Sequence, residues 1–266
     1  MKWTIQLGIA VALVAFKGYA SIDLSALSAS EAGMKISQER KLKDKGWGSS
    51  EAEVEMIIVS ATGEKNERRM KMRALEVIGD GDKLLTLFET PRDVKGTRFL
   101  SYSHISKPDQ QWLYLPSIKR VKRIASANKS GPFMGSHFAY EDLSSFEIEK
   151  FDFKFLKKEP LEGVEHFVVE QTPKDKYSGY QRQVVWLNTK TFQASKKEYF
   201  DKAGNLVKRL TLSDYKLYKD KFWRPHSLRM EQLQTKETTL LKTHAMSFGH
   251  SFSEQDFSQA SFKRMR

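Results

Sequence analysis

The sequence predicts a mainly β protein with a few helices, in which about a dozen short strands follow one another as an antiparallel meander. From about residue 52 onward, apolar and polar residues alternate with period two, and turn-forming residues separate the runs. Seventeen Phe, nine Tyr and five Trp in 266 residues also favour β structure. Because no repeat or break in composition divides residues 21–266, we expect a single domain there.

Residues 1–20 are organised as a secretory signal peptide. Lys2 gives an early positive charge, residues 7–16 are apolar, and Gly18 and Ala20 place small residues before a cleavage site expected after Ala20. An apolar run of this length is too short to span a hydrocarbon layer of roughly 30 Å. We therefore predict a cleaved signal and an exported protein rather than a membrane anchor.

The composition is basic and lacks cysteine. There are 45 Lys+Arg against 33 Asp+Glu, a formal charge of +12. Zero Cys excludes a disulfide framework, a Cys-ligated metal and a thiol nucleophile. Export argues against nucleic acid as a partner. A basic exported surface suits anionic lipid headgroups, lipopolysaccharide or an acidic protein patch, with solubility alone as the alternative.

Residues 21–46 are the clearest helical stretch. Gly33 interrupts the stretch, so two short helices are possible, and Gly46 suits a C-terminal cap. The apolar stripe is thin, so the helix is expected to lie on another surface. Its apolar positions are Leu24, Leu27, Ile36 and Leu42.

The strand predictions follow the alternating runs in chain order. The first half of the chain contributes residues 54–58, 70–74, 84–88, 98–105, 110–115 and 118–124. The second half contributes residues 151–158, 165–171, 180–187, 193–200, 206–218, 222–231 and 236–247.

Residues 125–145 interrupt the alternation and are predicted to be a loop. A loop of this length inside a compact domain usually indicates function or disorder. Four large apolar side chains argue against disorder, because they must either be buried or contact a ligand: Phe133, Met134, Phe138 and Tyr140. With Gly131 and Gly135 on either side, Phe133 and Met134 are typical of a hinged apolar flap, or of a plug at the end of the sheet.

Residues 110–124 supply the remaining candidate binding residues. On a strand, Trp112 and Tyr114 share one face and could line a pocket, whereas Leu113 and Leu115 share the other and suit the core. The densest basic cluster follows and could contact a headgroup or a partner protein, or protect an exposed sheet edge: Lys119, Arg120, Lys122 and Arg123. Arg123 could instead pair with Glu141 or Asp142 and fix the loop.

No catalytic or metal-binding pattern is present. The sequence has no GxSxG or HExxH motif, and its six histidines lack the spacing of a metal site. We therefore predict that the protein is not an enzyme, and that it needs no metal and no cofactor.

Four motifs in order resemble the outer membrane lipoprotein-sorting protein family of LolA-like periplasmic carriers. They are KGTRFL at 95–100, WLYLP at 112–116, KRVKRI at 119–124 and FMGSHFAYEDLS at 133–144, and a looser likeness extends over 45–265. His137 stands where the family often has Asp. The resemblance implies a strongly curved antiparallel sheet, an unclosed half-barrel with covering helices, and a cavity between them that takes acyl chains.

The resemblance also implies a function and a setting. It indicates a periplasmic carrier for a lipid or other hydrophobic ligand, working with an inner-membrane transporter of the RND/MMPL type and touching the membrane surface transiently. In this hypothesis the apolar wall and flap are Trp112, Tyr114, Phe133, Met134, Phe138 and Tyr140. The alternative is a periplasmic sensor, or a fixed pump accessory, that acts by protein contacts without free cargo.

Overall fold

The computed structural model describes residues 22–264, and the predicted signal peptide lies outside the described residues. Helix α1 spans Ala29–Lys43 and helix α2 spans Gln259–Arg264. Between them lie strands β1 Ser49–Val59, β2 Lys65–Leu75, β3 Lys83–Thr90, β4 Arg98–Tyr102, β5 Gln110–Leu115, β6 Arg120–Ile124, β7 Phe151–Leu161, β8 Val164–Pro173, β9 Tyr180–Asn188, β10 Ala194–Asp201, β11 Leu206–Tyr218, β12 Phe222–Gln232 and β13 Thr238–Phe248. Short 3₁₀ turns are Ser126–Asn128, Phe133–Gly135, Tyr140–Leu143, Ile148–Lys150 and Glu254–Phe257.

The strands form one unclosed antiparallel sheet, which confirms the predicted fold class. Their order is β6-β5-β4-β3-β2-β1-β13-β12-β11-β10-β9-β8-β7, so β1 and β13 meet near its centre. The two edges, β6 and β7, are consecutive in the chain. Residues 125–150, which join them, must therefore cross from one edge of the sheet to the other. We call this segment the cover.

Helix α1 is continuous through Gly33, so the alternative of two short helices was wrong. Ser28 and Glu31 form a capping box at its start, so the helix begins eight residues later than the predicted 21–46 stretch. Gly33 lies buried where α1 crosses β7, and a Cβ there would come within 2.8 Å of the Phe155 backbone nitrogen. The glycine therefore permits close packing of helix on strand instead of breaking the helix. The helix ends at Lys43, before Gly46.

The inner face of the sheet, defined as the face that α1 and the cover pack on, carries most of the core. Beneath α1 the buried cluster contains Ile36, Phe153, Phe167, Val169, Val185, Leu187 and Phe192. Beneath the cover it contains, among others, Met56, Met70, Phe88, Phe99, Leu113, Phe133, Phe138, Leu210, Met230 and Leu241. Leu212 packs against both clusters and joins them.

The outer face of the sheet is covered near β3–β5 by the C-terminal segment, residues 252–262. Phe257 and Phe262 pack with Leu85, Leu100 and Trp112. The guanidinium of Arg98 donates to the Phe262 carbonyl at 2.8 Å, and the Tyr102 hydroxyl donates to the Phe257 carbonyl. Apolar contacts and two backbone carbonyls thus fix this segment to the sheet.

Candidate functional site

The tip of the cover is a tight reversal of the chain. Met134 and Gly135 both have left-handed backbone conformations, with φ of 51° and 73°. The Phe133 amide donates to the Phe138 carbonyl at 2.7 Å, and Pro132 forms an isolated bridge with Ala139. Because a left-handed conformation is unfavourable for a side-chain-bearing residue such as Met134, surrounding contacts must hold this reversal in place.

Two phenylalanines anchor the tip in the core. Phe133 is 2% exposed, and its ring centroid lies 5.0 Å from that of Phe99 and 6.0 Å from that of Phe88. Phe138 is 3% exposed, whereas Met134 and Tyr140 remain partly exposed. In the described conformation the tip fills the space over the inner face, as the plug interpretation of this loop requires.

Carboxylates tie the cover to the start of β9. Glu141 accepts from the Ser178 hydroxyl at 2.7 Å and from the Gly179 amide at 2.8 Å. Asp142 accepts from the Tyr180 hydroxyl at 3.0 Å. Burial raises the pKa of Glu141 and, together with the charge of Asp142, raises the pKa of Tyr180 well above its usual value.

These contacts correct one alternative from the sequence. Arg123 was a candidate partner of Glu141 or Asp142, but neither carboxylate pairs with Arg123 in the described residues. The two acids do fix the loop, and their donors come from β9 and the turn before it. Sequence spacing could not show this, because Ser178 and Tyr180 follow Glu141 and Asp142 by 37 and 38 residues and approach them only in the folded sheet.

The opposite side of the tip is held by β2 and β13. The His137 amide donates to the Thr239 hydroxyl at 3.1 Å, and its ring Nδ1 lies 2.8 Å from the same oxygen. The ring Nε2 lies 3.5 Å from Glu237. Arg68 donates to the Met134 carbonyl. His137 thus makes polar contacts to β13 from the position where the family often has Asp.

The end of the cover is tied to α1 through an ion pair whose carboxylate is buried. Glu147 is 1% exposed; it lies 3.0 Å from the Lys41 ammonium and accepts from the Ser145 hydroxyl at 2.7 Å. Asp82 lies close by, and burial raises the pKa of its carboxyl to about 6. Titratable groups therefore fix the second half of the cover at two places, to β9 through Glu141 and Asp142 and to α1 through Glu147.

The predicted apolar wall is divided between the two faces of the sheet. Phe133, Met134, Phe138 and Tyr140 lie over the inner face. Trp112 and Tyr114 lie on the outer face: the Trp112 ring is 4.9 Å from that of Tyr102, and the Tyr114 ring is 6.4 Å from that of Phe262. The alternation along β5 sends Leu113 and Leu115 inward instead. The six residues therefore form two separate groups, and a role in ligand contact remains a prediction for each.

The predicted basic cluster lies along the exposed edge strand β6. Arg120 and Lys122 pair with Leu115 and Leu113 and so belong to the inner face, whereas Arg123 pairs with Trp112. Lys119 precedes the strand, in a left-handed turn with φ of 51°. All four side chains are exposed, and none forms an ion pair with any described residue. We call Lys119, Arg120, Lys122 and Arg123 the basic edge.

Sequence reasoning missed two cations that face the interior, Arg40 on α1 and Lys197 on β10. The Arg40 guanidinium lies 4.4 Å from the Phe146 ring centroid, and the Lys197 ammonium lies 4.9 Å from that of Tyr199. Burial lowers the pKa of both, that of Lys197 to about 8. A signal existed in the sequence, since Ile36 and Arg40 are one helical turn apart, but a charge on a thin apolar stripe usually faces solvent.

An open groove was also not predicted. It has a volume of about 350 Å³ and lies between the loop after α1 and residues 249–252. None of its lining residues was among the binding residues predicted from the sequence. Its lining includes Trp47, Lys219, His250 and Phe252. No cluster of three or more metal-ligating side chains occurs within residues 22–264, and no helix in that range is long and apolar enough to cross a membrane.

These features define a class of protein: an unclosed half-barrel whose apolar inner face is covered by a helix and a cross-over segment. A domain from Vibrio parahaemolyticus described as an outer membrane lipoprotein-sorting protein domain is 53% identical, with a TM-score of 0.87 over 88% of this chain and 100% of that one. A DUF1329 family protein from Desulfovibrio piger is 25% identical, with a TM-score of 0.83 over 88% and 99% of the two chains.

The chain belongs to the outer membrane lipoprotein-sorting protein family that its motifs resemble. The lipoprotein-sorting description of the Vibrio parahaemolyticus domain agrees with the prediction that this protein is not an enzyme. A LolA superfamily protein from Nitrosomonas europaea shares the fold at 18% identity, with a TM-score of 0.69 over 89% and 100% of the two chains. A family model described as an uncharacterized protein matches residues 80–264. A search of curated proteins gives no match.

Proposed function

We propose that this protein is a periplasmic carrier that binds a lipid or another hydrophobic ligand on its inner face and releases it to an acceptor. The observation that carries the proposal is the cover. It lies over the inner face but adds no strand to the sheet, so it can move without breaking the sheet's hydrogen bonds. Membership of a lipoprotein-sorting family supports the same function.

Ligand binding requires the cover to leave the inner face. Phe133 and Phe138 fill the space where an acyl chain would lie, and an acyl chain would replace their contacts at about 0.8 kcal/mol per buried CH₂. The loss of these contacts offsets part of the free energy gained by burying the ligand. This reduces the affinity, so that a carrier can release its ligand.

The basic edge is proposed to face the donor or the acceptor of the cargo. Four exposed cations on an edge strand suit the anionic surface of a membrane or an acidic patch on an inner-membrane transporter of the RND/MMPL type. In this proposal the contact is transient, since exposed charges of this kind contribute modestly and are screened by salt.

Mass spectrometry of an organic extract tests the carrier function. The protein would be purified from periplasm without detergent, and a stoichiometric lipid or other apolar molecule is expected in the extract. A well-folded protein that carries no such molecule, and takes up none from vesicles, would contradict the proposal. The sensor or pump-accessory alternative would then be tested by seeking a protein partner.

A further inference from the structure

We propose that the cargo is an anionic amphiphile, whose acid group lies between Arg40 and Lys197 and whose apolar chain lies along the inner face. This inference rests on the proposed carrier function and specifies its ligand class. The acid group is a carboxylate or a phosphate, both of which a guanidinium and an ammonium bind through charge-assisted hydrogen bonds.

Arg40 and Lys197 are enclosed by protein and still accessible. Arg40 lies one helical turn after Ile36, which packs in the same buried cluster as Val185, and Val185 pairs directly with Lys197 on the neighbouring strand. The lowered pKa of each group agrees with this shared, partly enclosed position. Both side chains nevertheless keep part of their surface exposed. Each cation is therefore packed against protein on one side and reached by solvent on the other, so a ligand can approach it.

Neither cation has an ion-pair partner among residues 22–264. Each lies over the face of an aromatic ring, Phe146 for Arg40 and Tyr199 for Lys197. Enclosing a cation without a counter-charge is costly, and proteins seldom leave one unpaired. An anionic ligand supplies the missing charge.

The acids in electrostatic reach of the two cations already have other donors. Asp142 accepts from Tyr180, and Glu141 accepts from Ser178 and Gly179. Asp44, whose negative charge raises the pKa of Arg40, is ion-paired with Arg224. These acids reduce the positive potential around the two cations but leave the hydrogen-bond donors of Arg40 and Lys197 available.

An apolar floor begins beside Lys197. Lys197 pairs directly with Leu210, and Leu210 pairs with Met230 on the next strand. One step along the strands, Leu212 pairs with Leu228, and Leu228 pairs with Leu241. Directly paired side chains on one face lie about 5 Å apart, so this floor is continuous across the three strands β11, β12 and β13. Leu212 and Leu228 are partly exposed, so its middle remains accessible.

Together the two cations and the floor match the two parts of an amphiphile. If Arg40 and Lys197 hold the acid group, the acyl chain begins over Leu210 and Leu212. From there it would run toward β13 and the tip of the cover. The same chain would compete with Phe133 for the inner face, which couples binding of this ligand to movement of the cover.

Calorimetric titration of the delipidated protein tests the inference with three probes of equal chain length. These are oleate, oleoyl lysophosphatidate and the uncharged monooleoylglycerol. Each anionic probe is expected to bind at least about tenfold more tightly than the uncharged one, since a charge-assisted hydrogen bond contributes about 1.5 kcal/mol or more. A preference between oleate and the phosphate distinguishes the two acid groups.

Single substitutions then locate the acid group. Arg40→Gln and Lys197→Gln are each expected to weaken oleate binding about tenfold and to leave monooleoylglycerol binding unchanged. Lys196→Gln is the matched control, because Lys196 is adjacent in sequence but stacks on Trp186 on the outer face, 3.5 Å from its ring centroid. Lys35→Gln, on the exposed side of α1, is the second control. If a glutamine variant fails to fold, Arg40→Lys and Lys197→Met replace it.

The outcomes separate the two proposals. Equal affinity for charged and uncharged probes, or unchanged oleate affinity in both folded variants, would overturn the anionic cargo while leaving the carrier function intact. If none of the three probes binds to the folded protein, both proposals fail together.

Discussion

At the scale of single residues, Asp82 is a buried carboxyl whose charge should destabilise the fold at neutral pH. Burial raises its pKa from 3.8 to about 6, with a further contribution from Glu147 and Glu76 that Lys41 opposes. Between about pH 4 and pH 6 the folded protein therefore holds a proton that the unfolded chain has released. Its contribution to stability is fully present below pH 4 and is lost as pH rises through 6.

The Asp82→Asn variant is expected to remove this loss. At pH 7 its free energy of unfolding should exceed that of the wild type by about 1–2 kcal/mol, because the shift is partly screened by solvent. At pH 4 the two proteins should be equally stable. The measurement is urea unfolding at both pH values, and Asn retains an oxygen that can accept from the Val77 amide.

Asp256→Asn is the control for that experiment. Backbone and hydroxyl donors of Ser253 lower the pKa of Asp256. The ionised form of Asp256 therefore stabilises the folded protein, which is the opposite of the effect at Asp82. Its replacement should therefore not stabilise the protein between pH 4 and pH 7. Equal behaviour of the two variants would show that burial at Asp82 does not set the pH dependence.

Helix α1 depends on one glycine for its distance from the sheet. Gly33→Ala should destabilise the protein by about 2 kcal/mol, although alanine favours helix by about 1 kcal/mol, because the new methyl group meets the β7 backbone. The contacts at 2.8–2.9 Å involve Phe155 and Lys154 backbone atoms, which cannot rotate away as a side chain can. Thermal unfolding measures the effect.

Ser30→Ala on the exposed side of the same helix is the control, and it should change the unfolding temperature little. A stabilised Gly33→Ala protein would show instead that α1 can shift on β7 at low cost.

The cover can be locked chemically because the chain contains no native cysteine. His137 and Thr239 touch at 2.8 Å, so His137→Cys combined with Thr239→Cys places two thiols between the tip and β13. In the oxidised protein, uptake of a fluorescent fatty acid should slow by about tenfold or more, because the tip can no longer leave the inner face.

The reduced form of the same double variant is its own control and should take up the ligand at the rate of the wild type. A thiol assay confirms that the disulfide has formed. Rapid uptake by the fully oxidised protein would mean that the ligand enters without movement of the tip.

On the scale of the whole molecule, the basic edge should govern contact with anionic surfaces. Arg120→Glu combined with Lys122→Glu is expected to weaken cosedimentation with phosphatidylglycerol vesicles several-fold at low salt, and the difference should shrink at higher salt. The control is Lys157→Glu combined with Lys158→Glu on the other edge strand, β7, which changes the net charge by the same amount. Equal loss in both double variants would mean that net charge, and not the basic edge, drives the contact.

Much of the architecture could be predicted from sequence because it depends on local periodicity. Alternation with period two placed the strands, including both halves of the sheet, to within a few residues. It also assigned Trp112 and Tyr114 to one face of β5 and Leu113 and Leu115 to the other. The motifs at 95–144 then indicated the family, which the 53% identical domain confirms.

The candidate site was less accessible to sequence reasoning. Its parts come from α1, β2, the cover, the start of β9, β10 and β13, which are distant along the chain. Arg40 and Lys197, for example, are separated by more than 150 residues. Alternation assigns a side chain to a face but does not say what lies over that face, so it could not show that the C-terminal segment packs on Trp112.

The sequence by itself determined the strands, their alternating faces, a large apolar loop and the family, because each of these is encoded in neighbouring residues. The tertiary structure decided that the loop's phenylalanines fill the inner face, that its acids bind to β9, and that the C-terminal segment covers Trp112. It also brought two cations, which have no ion-pair partner within residues 22–264, to the end of an apolar floor. Such facts arise where the sheet brings distant segments together, and burial and charge there depend on every segment that surrounds them.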